Sequence, residues 1–322
     1  MERPRAVHFG VRPGNSDVRG RYGIYVALVL VIVVAAILSP AFFKPSNLFN
    51  VLRAASPLGI VAIGQTIVML AGGIDLSLAS VMSMTTVVVA DISKGDNARL
   101  FPALVLVFAI GTAVGLINGF LVTKRGVPPF IATLGVAILM EGVRFVYTRA
   151  APSGSIPDAV RFYGNGAIGP VPTNLLVFVG LAAIAWFVLR RTEFGRHIYA
   201  TGVNREAARL SGVAVDRVRL LTYLLCSNLA VLGGLILAGY IGYADNFLGR
   251  GYELDSIAAV VIGGTSFAGG SGGIVGTIVG VLLLTMLFNI VLLLSLPVEY
   301  QLVVKGLVII VAVALYSRRV SR

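Results

Sequence analysis

The chain has 322 residues, 57% of them hydrophobic and 12% charged, with a mean hydropathy of +0.93 and a formal net charge of +12. Soluble globular domains carry roughly 25% charged residues, so a water-soluble domain is excluded and an all-α polytopic membrane protein is expected. The charge does not point to nucleic acid, because no basic, aromatic-interleaved domain carries it; arginine-rich loops at a membrane surface account for it.

Residues 1–21 are polar, hold five arginines and read as a tail. The apolar run that follows leads into Ser39-Pro40 without a small-x-small cleavage site, so it reads as a retained helix. Runs long enough to cross about 30 Å of hydrocarbon, or nearly so, fall at 22–39, 55–71, 76–90, 101–122, 127–148, 171–189, 220–241, 254–270, 274–294 and 299–316, with a short tail at 317–322. That predicts about ten transmembrane helices forming one transmembrane domain over 22–316. The third and eighth runs are short, and each abuts a glycine-rich break.

With ten spans, both termini share one side with the loops at 72–75, 123–126, 190–219 and 271–273. Those segments hold 17 of the 26 lysines and arginines, which predicts that both termini and the 190–219 loop are cytoplasmic. Gly111-Thr112-Ala113-Val114-Gly115 has a near copy in Gly276-Thr277-Ile278-Val279-Gly280. The copies fit an inverted repeat of five plus five spans. They equally fit close helix packing, with Gly111, Gly115 and Gly119 on one face and Gly272, Gly276 and Gly280 on another.

The first break, Gly72-Gly73-Ile74-Asp75-Leu76-Ser77, puts two glycines, an acid and a hydroxyl between apolar runs. Two readings fit. Gly72 and Gly73 end one helix while Asp75 caps the next, or Gly72, Gly73, Asp75 and Ser77 belong to a translocation path or its gate. The second break runs from Gly263-Gly264-Thr265-Ser266 to Gly269-Gly270 and on to Gly273. It resembles a phosphate-cradling loop but lacks the lysine: Lys44, Lys94, Lys124 and Lys305 are the only lysines, and none precedes Ser or Thr. If ATP drives this chain, another polypeptide hydrolyses it. Gly263 and Gly264 therefore read as a re-entrant connection with close helix approach, or as part of the path.

Few ionisable residues lie inside the runs. Glu141 and Arg144 are three apart on one helix and placed to neutralise each other, while Lys305 is placed to reach a carbonyl or line a water-filled cavity. Two histidines, His8 and His197, and one cysteine, Cys226, exclude a disulfide and leave nothing for a metal cluster or a proton relay. With no His-Glu-x-x-His helix and no cysteine-histidine cluster, no catalytic residue is assigned and no enzyme is expected.

The segment 190–219 is an arginine-rich polar island. Asn204 reads as the N-cap of a short helix with Glu206 in its first turn and Gly212 as its stop. It is either a solvated loop touching anionic lipid or a docking element, since Ala207, Ala208 and Leu210 interrupt the charges with small apolar surface.

Five separated segments, in order, resemble the ribose/xylose/arabinose-type permease family of bacterial ABC importers. They are Gly72-Gly73-Ile74-Asp75-Leu76-Ser77, Pro128-Pro129-Phe130-Ile131-Ala132-Thr133-Leu134-Gly135, the 202–212 island core, Gly263-Gly264-Thr265-Ser266-x-Ala268-Gly269-Gly270, and Gln301 through Leu307. Leu78-Ala79-Ser80 departs from the family's commoner Val-Gly-Ser. The resemblance implies a fold similar to the cobalamin-type importer permeases. It implies a bacterial inner-membrane subunit that moves a monosaccharide inward by alternating access and binds no cofactor of its own. Its implied partners are an ABC ATPase subunit that binds the ATP, an extracytoplasmic solute-binding protein, and a second permease copy, as homodimer or with a close paralogue. It assigns ATPase coupling to Asn204, Glu206, Ala207, Ala208, Arg209 and Gly212. An ATP-independent secondary transporter, or an importer of a nucleoside or signalling furanose, is the alternative.

Overall fold

The computed structural model describes residues 15–297, 299–307 and 310. Residues 1–14 of the N-terminal tail, the end of the 299–316 run and the 317–322 tail lie outside the described residues. Twelve helices follow in order: α1 (Asn15–Leu38), α2 (Pro45–Leu70), α3 (Leu78–Ser93), α4 (Leu100–Thr123), α5 (Pro129–Thr148), α6 (Asp158–Asn165), α7 (Thr173–Arg191), α8 (Glu193–Val203), α9 (Arg205–Leu210), α10 (Val215–Ile241), α11 (Tyr252–Ile262) and α12 (Ile274–Leu293). Residues 299–307 form a further helical segment. The one sheet among the described residues is an antiparallel ribbon of β1 (Ala167–Ile168) and β2 (Val171–Pro172), with Ala167 opposite Pro172.

Most of the predicted apolar runs coincide with helix, yet among the described residues six helices are long and apolar enough to cross a membrane: α2, α4 with the turn before it, α5, α7, α10 and α12. The ten-span expectation exceeds this number because α3 has 16 residues, because the 254–270 run does not form one helix, because side chains of the 22–39 run are described only from Tyr25, and because the 299–316 run lies partly outside the described residues. At about 1.5 Å per residue the 11 residues of α11 reach roughly 16 Å, half the ~30 Å of hydrocarbon. The glycines end it: Gly264, at φ 85°, turns the chain so that its amide and that of Thr265 return to the carbonyls of Val261 and Val260.

The bundle is organised around α2 and α10. α10 packs against α4, α2, α3 and α6, and α2 packs against α10, α12, α7 and α11. The outer helices show one small-residue face and one apolar face turned outward. On α4 the buried stripe is Ala103, Val107, Gly111, Gly115, Asn118 and Val122, while Phe101, Val105, Leu106, Leu116, Ile117 and Phe120 are exposed. An apolar exposed face of this kind belongs against lipid. The glycine stripe serves packing: a Cβ on Gly111 or Gly115 would stand 2.5 Å from Val231 Cγ2 or 2.7 Å from Leu224 Cα on α10. Gly276 and Gly280 likewise seat α12 on α11, but Gly272 does not share their face, because it precedes the helix and packs on Thr265.

α2 carries Pro57 in its interior. A proline has no amide to give the carbonyl four residues back, and lipid cannot replace it. Asn174, fully buried at the start of α7, supplies the donor: its Nδ2 lies 3.0 Å from the carbonyl of Arg53.

Candidate coupling site

The polar island folds into the pair α8 and α9 rather than one short helix. Thr192 caps α8 by accepting from the Gly195 amide at 3.2 Å, and Asn204 caps α9 by accepting from the Ala207 amide at 3.0 Å. The signal for α8 is in the sequence, since Thr192-Glu193 is a capping hydroxyl followed by a first-turn acid. Gly212, at φ 85°, stops α9, and the Val213 amide returns to the Ala208 carbonyl at 3.0 Å.

The two alanines of α9 separate. Ala208 is 4% exposed and packs inward, while Ala207 faces outward with Asn204, Glu206 and Arg209. Val203 and Leu210, which composition alone did not single out as a pair, are 73% and 82% exposed. Ala207 and Leu210, three apart on α9, form a small apolar stripe on its outer face, and Val203 is exposed at the end of α8 just before the Asn204 cap. Arg209 bonds Asp216 at 3.2 Å and pairs with Glu206 at 3.7 Å, which fixes α9 to the start of α10.

Beneath this stripe, the end of α8 lies in a notch made by both glycine-rich breaks. The Gly270 amide donates to the Leu70 carbonyl at 2.9 Å. A Cβ on Gly202 would fall 1.9 Å from that same oxygen and 2.4 Å from that same nitrogen. Arg205 reaches the Gly72 carbonyl at 2.9 Å, and the Tyr199 hydroxyl donates to the Gly272 carbonyl at 3.0 Å. Burial pushes the Tyr199 phenol above its usual range, so it stays a neutral donor. One strip of backbone thus touches both segments that interrupt the bundle's helices.

The remaining sequence candidates divide. Gly72, at φ 72°, turns the chain out of α2 and presents its carbonyl to Arg205, and Gly73 packs on the Tyr223 hydroxyl. Asp75 is fully buried; its Oδ1 accepts from the Ser77 amide at 2.8 Å and the Ser77 hydroxyl at 2.6 Å. Asn118 donates to that hydroxyl at 2.8 Å. Asp75 thus closes a local turn just ahead of α3, whose N-cap, Ser77, makes no side-chain cap bond to the helix. Gly263 caps α11 and lies against Gly276, with Gly264 completing the turn.

Lys305 stands apart from the junction, near the other end of α11. Among the described residues it pairs with both carboxylate oxygens of Asp255, at 2.8 and 2.9 Å, with its ammonium 5.6 Å from the Phe288 ring. Glu141 and Arg144 form no ion pair among the described residues; Arg144 is buried and donates to the Ser80 carbonyl at 3.3 Å. No group of three metal-ligating side chains occurs among the described residues.

Residues 47–313 match the family described as branched-chain amino acid transport system / permease component. The ribose import permease protein RbsC of Escherichia coli (strain K12) is 42% identical over 298 residues, covering 91% of this chain and 92% of that protein. RbsC of Bacillus subtilis (strain 168) is 40% identical over 318 residues, covering 98% and 96%. The galactose/methyl galactoside import permease protein MglC of Escherichia coli (strain K12) is 36% identical over 318 residues, covering 93% and 95%. No solved structure gives a significant match. By a match over most of its length and by these relatives, the chain belongs to the family of transport-system permease components.

Proposed function

We propose that the chain is the membrane subunit of a binding-protein-dependent ABC importer that moves a monosaccharide inward by alternating access. A separate ATPase subunit docks on the outer stripe of α9, an extracytoplasmic binding protein delivers the solute, and a second permease copy completes the pathway. The observation that carries the reading is the seat of Gly202 between Leu70 and Gly270. A push on α9 is delivered directly to the two breaks where helices end inside the bundle, and packed elements with two arrangements turn such a push into reorientation. The coupling role therefore falls on Asn204, Glu206, Ala207, Arg209 and Gly212 at the surface and on Ala208 as the buried anchor. A ten-span arrangement with inverted halves, similar to the cobalamin-type permeases, both termini in the cytoplasm and residence in a bacterial inner membrane complete the reading. A sugar is preferred over a branched-chain amino acid because the sugar permeases RbsC and MglC align over nearly the whole chain.

The test is reconstitution of the chain with its ATPase and binding protein in liposomes, measuring uptake of labelled ribose, galactose and leucine. ATP-dependent uptake of a sugar is expected. Uptake by the chain alone without ATP, or of leucine only, would sink the proposal.

A further inference from the structure

Among the described residues, one buried cation lacks a hydrogen-bond or ion-pair partner. Arg219, in the first turns of α10, is 7% exposed, and its guanidinium makes no hydrogen bond or ion pair among the described residues. An isolated buried charge is costly unless something compensates it. The side chain lines a cavity of about 370 Å³ between the 122–129 turn and the starts of α9 and α10, and two further guanidinia, Arg205 and Arg209, line the same cavity. Its one acid, Asp216, is already held by Lys124 and Arg209, each at 3.2 Å. Arg205 spends one nitrogen on the Gly72 carbonyl. Pro128 and Pro129 put the positive end of α5 on another wall.

We propose that this cavity binds a phosphate group through Arg205, Arg209 and Arg219. Three guanidinium forks suit the several oxygens of a phosphate better than the two of a carboxylate. The surroundings admit two sources. Val122, Val127 and Val215 supply apolar wall at the end of the α4 span, where a lipid headgroup fits with its chains alongside, and a soluble phosphate fits the same donors. An occupant would bridge α9 to α5 and α10 and so stiffen the island against the bundle.

The experiment uses the purified full chain in nanodiscs, with inorganic phosphate titrated by calorimetry into phosphatidylcholine discs. In parallel, thermal unfolding is compared between discs of phosphatidylcholine alone and discs containing phosphatidylglycerol. Saturable phosphate binding assigns a soluble anion, and a rise in Tm with phosphatidylglycerol assigns a headgroup. In either case Arg219→Gln should bind roughly tenfold more weakly or lose the Tm shift, and Arg196→Gln, a charge-matched change outside the cavity, should retain both. Should Arg219→Gln fail to fold, Arg209→Gln, with a half-exposed side chain, serves in its place. Absence of both responses in the native chain, or equal loss in Arg196→Gln, overturns the site. Because no ATPase or solute is present, this outcome is independent of the transport reading.

Discussion

The hydrogen bond from the Gly270 amide to the Leu70 carbonyl joins the end of α2 to the loop that leads into α12, and Gly202 packs directly against both of its atoms. A side chain at position 202 and this bond cannot coexist at the observed spacing. Gly202→Ala should therefore destabilise the chain by about 1–3 kcal/mol, the usual cost of overpacking, and abolish most ATP-driven solute uptake while the chain remains in the membrane. Thermal unfolding of the purified variant, together with uptake normalised to membrane abundance, checks both parts; full uptake would show that the junction tolerates separation.

The two alanines of α9 should respond differently to the same charge. Ala207→Glu faces outward and should leave the melting temperature near that of the native chain while weakening ATPase co-purification. Ala208→Glu buries a carboxylate without a partner and should lower the stability of the fold itself. Leu210→Ala, at an 82% exposed position, should cost no more than about 0.5 kcal/mol of stability and still weaken ATPase binding. Equal behaviour of the two glutamates in unfolding would contradict the inward packing of Ala208.

For Lys305 and Asp255, losing one partner should cost more than losing both. Their side chains are 17% and 12% exposed, so Lys305→Met leaves a carboxylate largely buried, a loss of up to about 3–5 kcal/mol. The double change Lys305→Met with Asp255→Leu should recover most of it. A double-mutant cycle in thermal or denaturant unfolding measures the difference, and simple additivity would mean that the pair is not coupled.

Helix glycines should divide by what lies opposite them. Gly115→Ala places a methyl 2.7 Å from the Leu224 Cα and should cost about 1–3 kcal/mol. Gly180→Ala, with nothing within 4 Å in α7, should instead be neutral or stabilising by about 0.4–1 kcal/mol. Paired unfolding measurements settle the sign at each site.

The elements most legible in the sequence are those governed by local rules. The Asn204 cap, the Glu206 first turn and the Gly212 stop follow from chemistry within a few residues, and the structure has each of them; most of the apolar runs are likewise helical. The glycine stripe of α4 was legible as a packing face because its spacing repeats, although the partner helix was not. What the sequence does not reveal is which distant groups meet. Nothing near Lys305 announces Asp255, so a cavity or a carbonyl looked equally suited to it. Arg144 was matched to the acid three residues away, yet its nearest acceptor is a backbone oxygen on α3. The meeting of Gly202 with Leu70 and Gly270 is likewise a property of the assembled bundle, because each glycine alone reads as an ordinary helix terminator. The eighth apolar run, already short and set against a glycine-rich break, is helical only to Ile262, where the glycines that follow end α11.

The pairing of Asn174 with the carbonyl left open by Pro57 sets an order on how these two positions can drift. If the proline is exchanged first, the helix regains its own donor and the asparagine is released to become almost anything small. If the asparagine goes first, the carbonyl loses its donor inside a bundle where lipid cannot replace it. Lineages of this permease are thus free to lose the pair by one route and barred from the other.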